Sequence, residues 1–306
     1  MTQTLSEKEK VPSKLRTDIV DLIGNTPLVR LHRITRNISE DVQIWAKLES
    51  ANPGGSGKDR PAKQIVNDAF KAGFMKKGMT LVDASTGSIG VGYAICGASM
   101  GFDVTLIVPE GVEKNGRAQM ATAEILGAKI IRSKGGIEEA RDYAASLANK
   151  EPDRYYYANQ FTNPSNPRAH RLNTAVEIYH QTQGRVTHFV SSVGSGGTLS
   201  GVGEGLQERN PGIRILACKP LEETGHESMQ RSQKCFMRSE DVYEFSLAQA
   251  ATMAKKLAEE EGIPGGIVTG MSLCGICKLA EQLDSGVLVF LVADRADFTH
   301  HAAFEV

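Results

Sequence analysis

Lys58 closes a glycine-rich run, Asn52-Pro-Gly-Gly-Ser-Gly-Lys, and Pro61 stands just behind it. Ala62, Ile65, Val66, Ala69 and Phe70 then recur at the spacing of one face of a helix. Proline is tolerated in a first helical turn, where its missing N–H has no partner to lose. The spacing therefore predicts a lysine on a tight loop at a helix entrance, not on a solvated helix face. Two more loops are small and polar: Asp83-Ala-Ser-Thr-Gly-Ser-Ile-Gly, with Ser85, Thr86 and Ser88 around Gly87, and the run from Gly194 to Thr198, Gly-Ser-Gly-Gly-Thr. A glycine-rich turn that opens a helix offers free backbone N–H groups and the positive end of the helix dipole, which together hold phosphate or carboxylate. Any one such loop is equally well read as a turn that binds nothing. Two of them with a loop lysine point to a phosphorylated ligand and a carboxylate beside an amine. Neither has the spacing of a dinucleotide fingerprint or a P-loop, so nucleotide binding has little support.

The elements that must position these residues alternate. Short apolar runs at residues 42–48, 80–84, 104–108, 129–133, 155–159, 187–193, 214–218 and 287–294 read as strands. Helical patterns cover residues 61–70, 91–100, 116–125, 138–149, 173–181, 198–208, 247–261 and 272–283. Apolar strands separated by amphipathic helices mean βαβ units and mainly parallel sheets covered on both faces. Ligands of such sheets bind beyond the carboxyl ends of the strands, where the polar loops gather. The expected division is a mobile arm over residues 1–17, an α/β half over 18–157 carrying Lys58, and an α/β half over 158–306 carrying Gly194 to Thr198. The first strands of the former are free to join the sheet of the latter.

A chain of 306 residues can bury a substantial core. Its 35 Lys+Arg against 36 Asp+Glu give no electrostatic case for nucleic acid or an anionic membrane. No apolar stretch reaches the length of a membrane span, and residues 1–10 are polar with no signal-peptide core. Five cysteines, Cys96, Cys218, Cys235, Cys274 and Cys277, lie mostly in apolar runs, which suits reduced thiols in the cytoplasm. Cys274 and Cys277 are one helical turn apart with no second ligand pair nearby, and read as packing thiols. The paired His300 and His301 likewise lack partner ligands in sequence reach, so no metal site is expected, and His170 reads as a packed helix histidine.

From about Ile19 onward the motifs resemble the cysteine synthase and cystathionine β-synthase family, pyridoxal-phosphate enzymes of fold type II. The resemblance is carried by Ile23-Gly-Asn-Thr-Pro-Leu-Val-Arg-Leu, Asn52-Pro-Gly-Gly-Ser-Gly-Lys-Asp-Arg-Pro-Ala, Asn159-Gln-Phe-Thr-Asn-Pro-Ser-Asn, Gly194-Ser-Gly-Gly-Thr-Leu-Ser-Gly and Gly270-Met-Ser. It implies two three-layer α/β/α domains with pyridoxal 5'-phosphate in the cleft between them. Lys58 would hold the cofactor as a Schiff base and act as the base at the substrate Cα. Gly194, Ser195, Gly196, Gly197 and Thr198 would hold its phosphate, and Ser272 would face its pyridine nitrogen. Ser88 would stand near its phenolic oxygen. Ser85, Thr86, Gly87, Ile89 and Gln160 would grip the substrate carboxylate. The implied reaction is β-replacement: an O-activated serine (O-acetylserine or O-phosphoserine) loses its Oβ group, an aminoacrylate forms, and sulfide or a thiol adds to give cysteine or an analogue. Family members are usually homodimers.

Departures from the family pattern cluster at the site. Ser88 stands where asparagine is usual and Ile89 where a hydroxyl donor is usual. Gly57 replaces Val or Ile before the lysine, Leu273-Cys274 replaces small residues after Ser272, and the closing segment reads Asp294-Arg-Ala-Asp-Phe-Thr-His-His-Ala. The segment between Pro220 and Ser246 lacks the family's usual stretch lining the entrance. Two alternatives therefore accompany the main expectation: a β-replacement giving cystathionine or a diamino acid, or a cofactor-binding paralogue with weak or no catalysis that serves as a partner subunit.

Overall fold

The computed structural model describes residues 17–112, 116–221 and 241–298. Ten strands occur among them: β1 (Leu28–Arg30), β2 (Val42–Leu48), β3 (Thr80–Ala84), β4 (Asp103–Val108), β5 (Lys129–Arg132), β6 (Tyr155–Tyr157), β7 (His188–Ser192), β8 (Arg214–Pro220), β9 (Val242–Phe245) and β10 (Gly286–Val292). They form a six-stranded sheet, β1-β2-β10-β7-β8-β9, and a four-stranded sheet, β5-β4-β3-β6. Every pairing is parallel except that of β1 with β2.

The helices are α1 (Asp59–Lys71), α2 (Ser88–Met100), α3 (Arg117–Ile125), α4 (Ile137–Lys150), α5 (Ser165–Ala169), α6 (Ala175–Gln181), α7 (Gly197–Gln207), α8 (Leu247–Glu261) and α9 (Ile267–Ala280), with a π-helical turn, His170–Thr174, joining α5 to α6. Parallel strands buried on both faces carry apolar residues at every position, and the period of two divides them between the layers. In the larger sheet Phe189, Ile215, Val289 and Leu291 pack on Ile178, Val202 and Leu206 of α6 and α7. Their neighbours Val190, Leu216, Leu288 and Phe290 pack on Leu257, Leu273 and Ile276 of α8 and α9. The smaller sheet divides the same way. Leu81, Val104 and Leu106 meet Ile65, Val66 and Ala94 on one face, and Val82, Ala84 and Ile107 meet Ala140 and Ala144 of α4 on the other. Two three-layer units result, as expected. No helix among the described residues is long and apolar enough to cross a membrane.

Three features differ from the expected elements. Strands β1 and β9, not expected from pattern, sit at the edges of the larger sheet, where pairing to one neighbour defines a strand that its side chains do not. Helix α9 begins at Ile267, so Ser272 lies inside the helix instead of starting it. The reason is tertiary: the Asp294 carboxylate, beyond the end of β10, accepts from the Thr269 N–H (3.0 Å) and thereby satisfies a first-turn donor. Strand β6 stops at Tyr157, because Asn159 turns the chain with φ 43°. Residues 1–16, Cys235, most of the 220–246 segment, and His300 and His301 lie outside the described residues.

Candidate active site

Lys58 is the N-cap residue immediately before α1, as expected from its glycine-rich approach and Pro61. The loop before it is pinned at several points. The Gly57 N–H donates to the Ala293 carbonyl at 3.1 Å, and the Lys58 N–H donates to Ser56 Oγ at 3.2 Å. Asn52 donates through Nδ2 to the Ser56 carbonyl at 3.1 Å and accepts the Gly24 N–H at 2.8 Å. Gly57 is thus tied to the segment that follows β10.

Beneath the loop lies a buried ionic cluster. Arg60 meets Glu49 (2.6 Å) and Glu177 (2.7 Å), and Glu177 meets Lys47 (2.6 Å). Burial alone would raise the Glu177 carboxyl, but Arg60 and Lys47 outweigh it and hold its pKa at about 2. The cluster ties the end of β2 and the start of α1 to α6, fixing the frame in which Lys58 points.

A cavity of about 390 Å³ opens between the two sheets, lined by Lys58, Thr86, the run Ser191–Ser195, Gly196 and Thr198, with Ile267, Val268 and Met271 of α9 as an apolar wall. Lys58 is half-buried. Burial lowers its pKa, and the nearby charge of Asp294 partly restores it. Asp294 is itself raised by burial, against the bonds it accepts from Thr269 (Oγ1 at 2.6 Å).

The loop after β7 forms the turn into α7. Gly196 has φ 78°, a left-handed conformation that glycine adopts without strain. A Cβ on Gly197 would fall on Asn166 Oδ1. Asn166 is buried and donates to Ser195 Oγ (3.0 Å) and to the Gln160 carbonyl (2.9 Å), so it fixes the turn from behind. Thr198 Oγ1 lies 3.2 Å from His170 Nε2. Among the described residues the N–H groups of Gly194, Ser195, Gly196, Gly197 and Thr198 donate to no protein oxygen. Five open donors at the entrance of an eleven-residue helix make a site for an anion with several oxygens.

The loop after β3 repeats the arrangement at the entrance of α2. The N–H groups of Thr86, Ser88 and Ile89 donate to no protein oxygen among the described residues, and Thr86 is exposed into the cavity. The side chains divide differently. Ser85 is fully buried, and its hydroxyl both accepts from the Gly87 N–H and donates to the Gly87 carbonyl, each at 3.2 Å. Ile89 is packed in the apolar core of the smaller unit. Ser88 is half-buried in the first turn of α2. Gln160 donates through Nε2 to the Ala84 carbonyl at 3.1 Å and through its N–H to Asp83 at 3.1 Å, holding the base of the loop. Burial pushes Asp83 up to about 7, and Tyr93 donates to it at 2.9 Å.

Ser272 is buried on α9, where its Oγ accepts from the Ser192 N–H at 2.8 Å and donates to the Val268 carbonyl at 3.3 Å. The structure thus brings Lys58, Thr86 and the 194–198 turn to one cavity, with Ser85, Gly87, Ser88, Ile89, Gln160 and Ser272 in the layer supporting it. Sequence reasoning gave no role to Asn166, Asp294 or the contact of His170 with Thr198. Asn166 ends the Asn159–Asn166 motif, but the other two contacts have no local signal.

The four described cysteines do not line the cavity. Cys96, Cys218 and Cys274 are buried free thiols, and Cys277 is a partly buried one. Burial pushes Cys274 up to about 11 and Cys277 up to about 12, so both stay protonated and inert.

A profile of the family described as pyridoxal-phosphate dependent enzyme matches residues 19–294. The cysteine synthase of Aquifex aeolicus is 36% identical over 316 residues, covering 96% of this chain and 93% of the relative. Among solved structures, the cysteine synthase (OASS) of Entamoeba histolytica superposes with a TM-score of 0.87 at 29% identity, covering 100% of this chain and 95% of that one. An O-acetylserine dependent cystathionine beta-synthase from Helicobacter pylori gives 0.84 at 28% identity, over 93% and 97% of the two chains.

Proposed function

The chain belongs to the family of pyridoxal-phosphate-dependent enzymes, and from that premise we propose that it catalyses β-replacement on O-acetylserine or a similarly activated serine, with sulfide entering and cysteine leaving. The observation that carries this reading is the meeting of Lys58, Thr86 and the 194–198 turn in one cavity. The residues fit the cofactor. Five open N–H groups at a helix entrance suit its phosphate, and an amine whose charge is weakened by burial suits its aldehyde.

Pyridoxal phosphate bound there supplies an electron sink beside the substrate α-carbon, which lets the Cα proton and the Oβ leaving group depart. Lys58 carries the cofactor and, as a free amine, takes the Cα proton on Nζ. Burial helps keep Nζ uncharged at the moment it must accept. The N–H groups of Thr86, Ser88 and Ile89, with the Thr86 hydroxyl, hold the substrate carboxylate at the entrance of α2. Ser85 and Gln160 keep that loop in shape from below. The family resemblance assigns Ser272 to the pyridine nitrogen, a role that requires its hydroxyl to turn away from the Val268 carbonyl. A hydroxyl there, unlike a carboxylate, would not keep that nitrogen protonated, and the site would favour loss of a good leaving group.

A larger thiol as incoming group, giving cystathionine, is the second reading. The apolar wall of Ile267, Val268 and Met271 favours it, since bare sulfide has no use for such a surface. The N-terminal stretch 18–157 and the C-terminal stretch 158–306 are proposed as the two domains, with β1 and β2 joining the C-terminal sheet. The family resemblance supports a homodimer, testable by sedimentation equilibrium, and the buried free thiols support a reducing, cytoplasmic setting.

Purified protein supplied with pyridoxal phosphate should show a visible absorption band of bound cofactor, and should form cysteine from O-acetylserine and sulfide. Lys58→Ala should lose both while remaining folded. Homocysteine in place of sulfide separates the two readings by product. A bound-cofactor band with neither product in the wild type would leave the cofactor-binding paralogue that serves as a partner subunit, and absence of the band as well would overturn the reading.

A further inference from the structure

Behind the 194–198 turn lies a buried histidine that the proposed reaction does not use. His170 opens the π-helical turn His170–Thr174 and has no solvent exposure. Its ring stands between two threonine hydroxyls, Nδ1 at 3.0 Å from Thr174 Oγ1 and Nε2 at 3.2 Å from Thr198 Oγ1. Burial pushes its pKa down to about 3, so the ring is neutral. A neutral imidazole carries one N–H and one bare nitrogen, and the two tautomers have opposite consequences for Thr198.

With the proton on Nδ1, the bare Nε2 must accept the Thr198 O–H. Thr198 then shows only lone pairs to the cavity, which repel an anion. With the proton on Nε2, Thr198 Oγ1 accepts from the ring, and its own O–H is free to point into the cavity. Nδ1 in turn accepts from Thr174, whose hydroxyl has no other hydrogen-bond partner among the described residues. We infer that His170 is a positioning residue held as the Nε2–H tautomer, forming a relay in which Thr174 O–H donates to Nδ1, Nε2–H donates to Thr198 Oγ1, and Thr198 O–H is turned toward the cofactor's phosphate. The relay rests on the reading of the 194–198 turn as the phosphate site. It explains why a fully buried ring is set directly against a residue that lines the cavity.

The test combines a spectroscopic and a binding measurement. Nitrogen-15 NMR of the wild-type protein, with and without inorganic phosphate, should show the Nε2–H tautomer for His170. An Nδ1–H signal in the presence of phosphate overturns the relay. Affinity of the apoprotein is then measured for pyridoxal phosphate and for pyridoxal, which lacks the phosphate. Thr174→Val, which keeps the side-chain shape, and His170→Phe should weaken pyridoxal phosphate by roughly ten- to a hundredfold and pyridoxal by less than about threefold. His170→Gln, whose amide N–H can still donate, should recover part of the loss. Wild-type protein that prefers the phosphate ester, with variants that prefer it equally, overturns the relay alone. Wild-type protein that binds both alike overturns the phosphate-site reading beneath it.

Discussion

The role proposed for Lys58 requires an uncharged amine, so its environment decides the pH at which it would work. Burial lowers its pKa and the Asp294 carboxylate partly restores it. Cofactor loading should therefore accelerate as pH rises through the lowered pKa and the amine loses its proton. Removing the negative charge with Asp294→Asn leaves the lowering effect of burial unopposed, so the rise should move to lower pH; stopped-flow absorbance of apoprotein mixed with pyridoxal phosphate measures it. A profile that stays in place would show that Asp294 acts only as the acceptor for Thr269. The lysine itself was legible, because a glycine run and a following proline leave few other uses for the residue between them. Its partner Asp294 was not, because the two are brought together by the pairing of β10 with β2 and by the Gly57 N–H donating to the Ala293 carbonyl beyond the end of β10.

At the scale of elements, the entrance of α7 depends on a close approach. Gly197 packs so tightly on Asn166 that any Cβ displaces the amide, and that amide holds both Ser195 and the Gln160 carbonyl. Gly197→Ala should cost about 1–3 kcal/mol of stability by overpacking and abolish cofactor retention, read by melting temperature and by absorbance after gel filtration. The ionic cluster under α1 makes a second prediction. Glu177 has a folded pKa of about 2, below its ordinary value of 4.5. A depressed carboxylate contributes stability above its unfolded pKa, and that contribution is lost as pH falls through the window from 4.5 to about 2. Urea midpoints should drop across that window, and Glu177→Gln should flatten the drop while lowering stability at neutral pH. The repeating helix and strand patterns were readable because both faces of each sheet are buried. The start of α9 was not, since its first-turn donor is satisfied by the Asp294 carboxylate just beyond the end of β10, distant in sequence.

On the scale of the whole molecule, the cavity takes Thr86 from a loop of the smaller sheet and the 194–198 turn from a loop of the larger one. A ligand touching both couples the two units, and binding to the folded state alone stabilises it by mass action, by about 2.7 kcal/mol at a hundredfold excess over Kd. The holoprotein should therefore melt at least several degrees above the apoprotein, and in Lys58→Ala, which lacks the cofactor's anchor, that gap should shrink; equal melting temperatures would argue against a ligand bridging the units. By itself the sequence determined the α/β class, the lysine loop and the two glycine-rich turns that open helices, because backbone conformation and apolar period are local properties written in neighbouring residues. Tertiary structure alone decided which side chains face the cavity. Ser85, Ile89 and Gln160 are in the right segment, yet one hydroxyl is spent on its own loop, one side chain is in the core and one amide braces a strand end. Those outcomes depend on what packs behind each residue, and that partner comes from elsewhere in the chain.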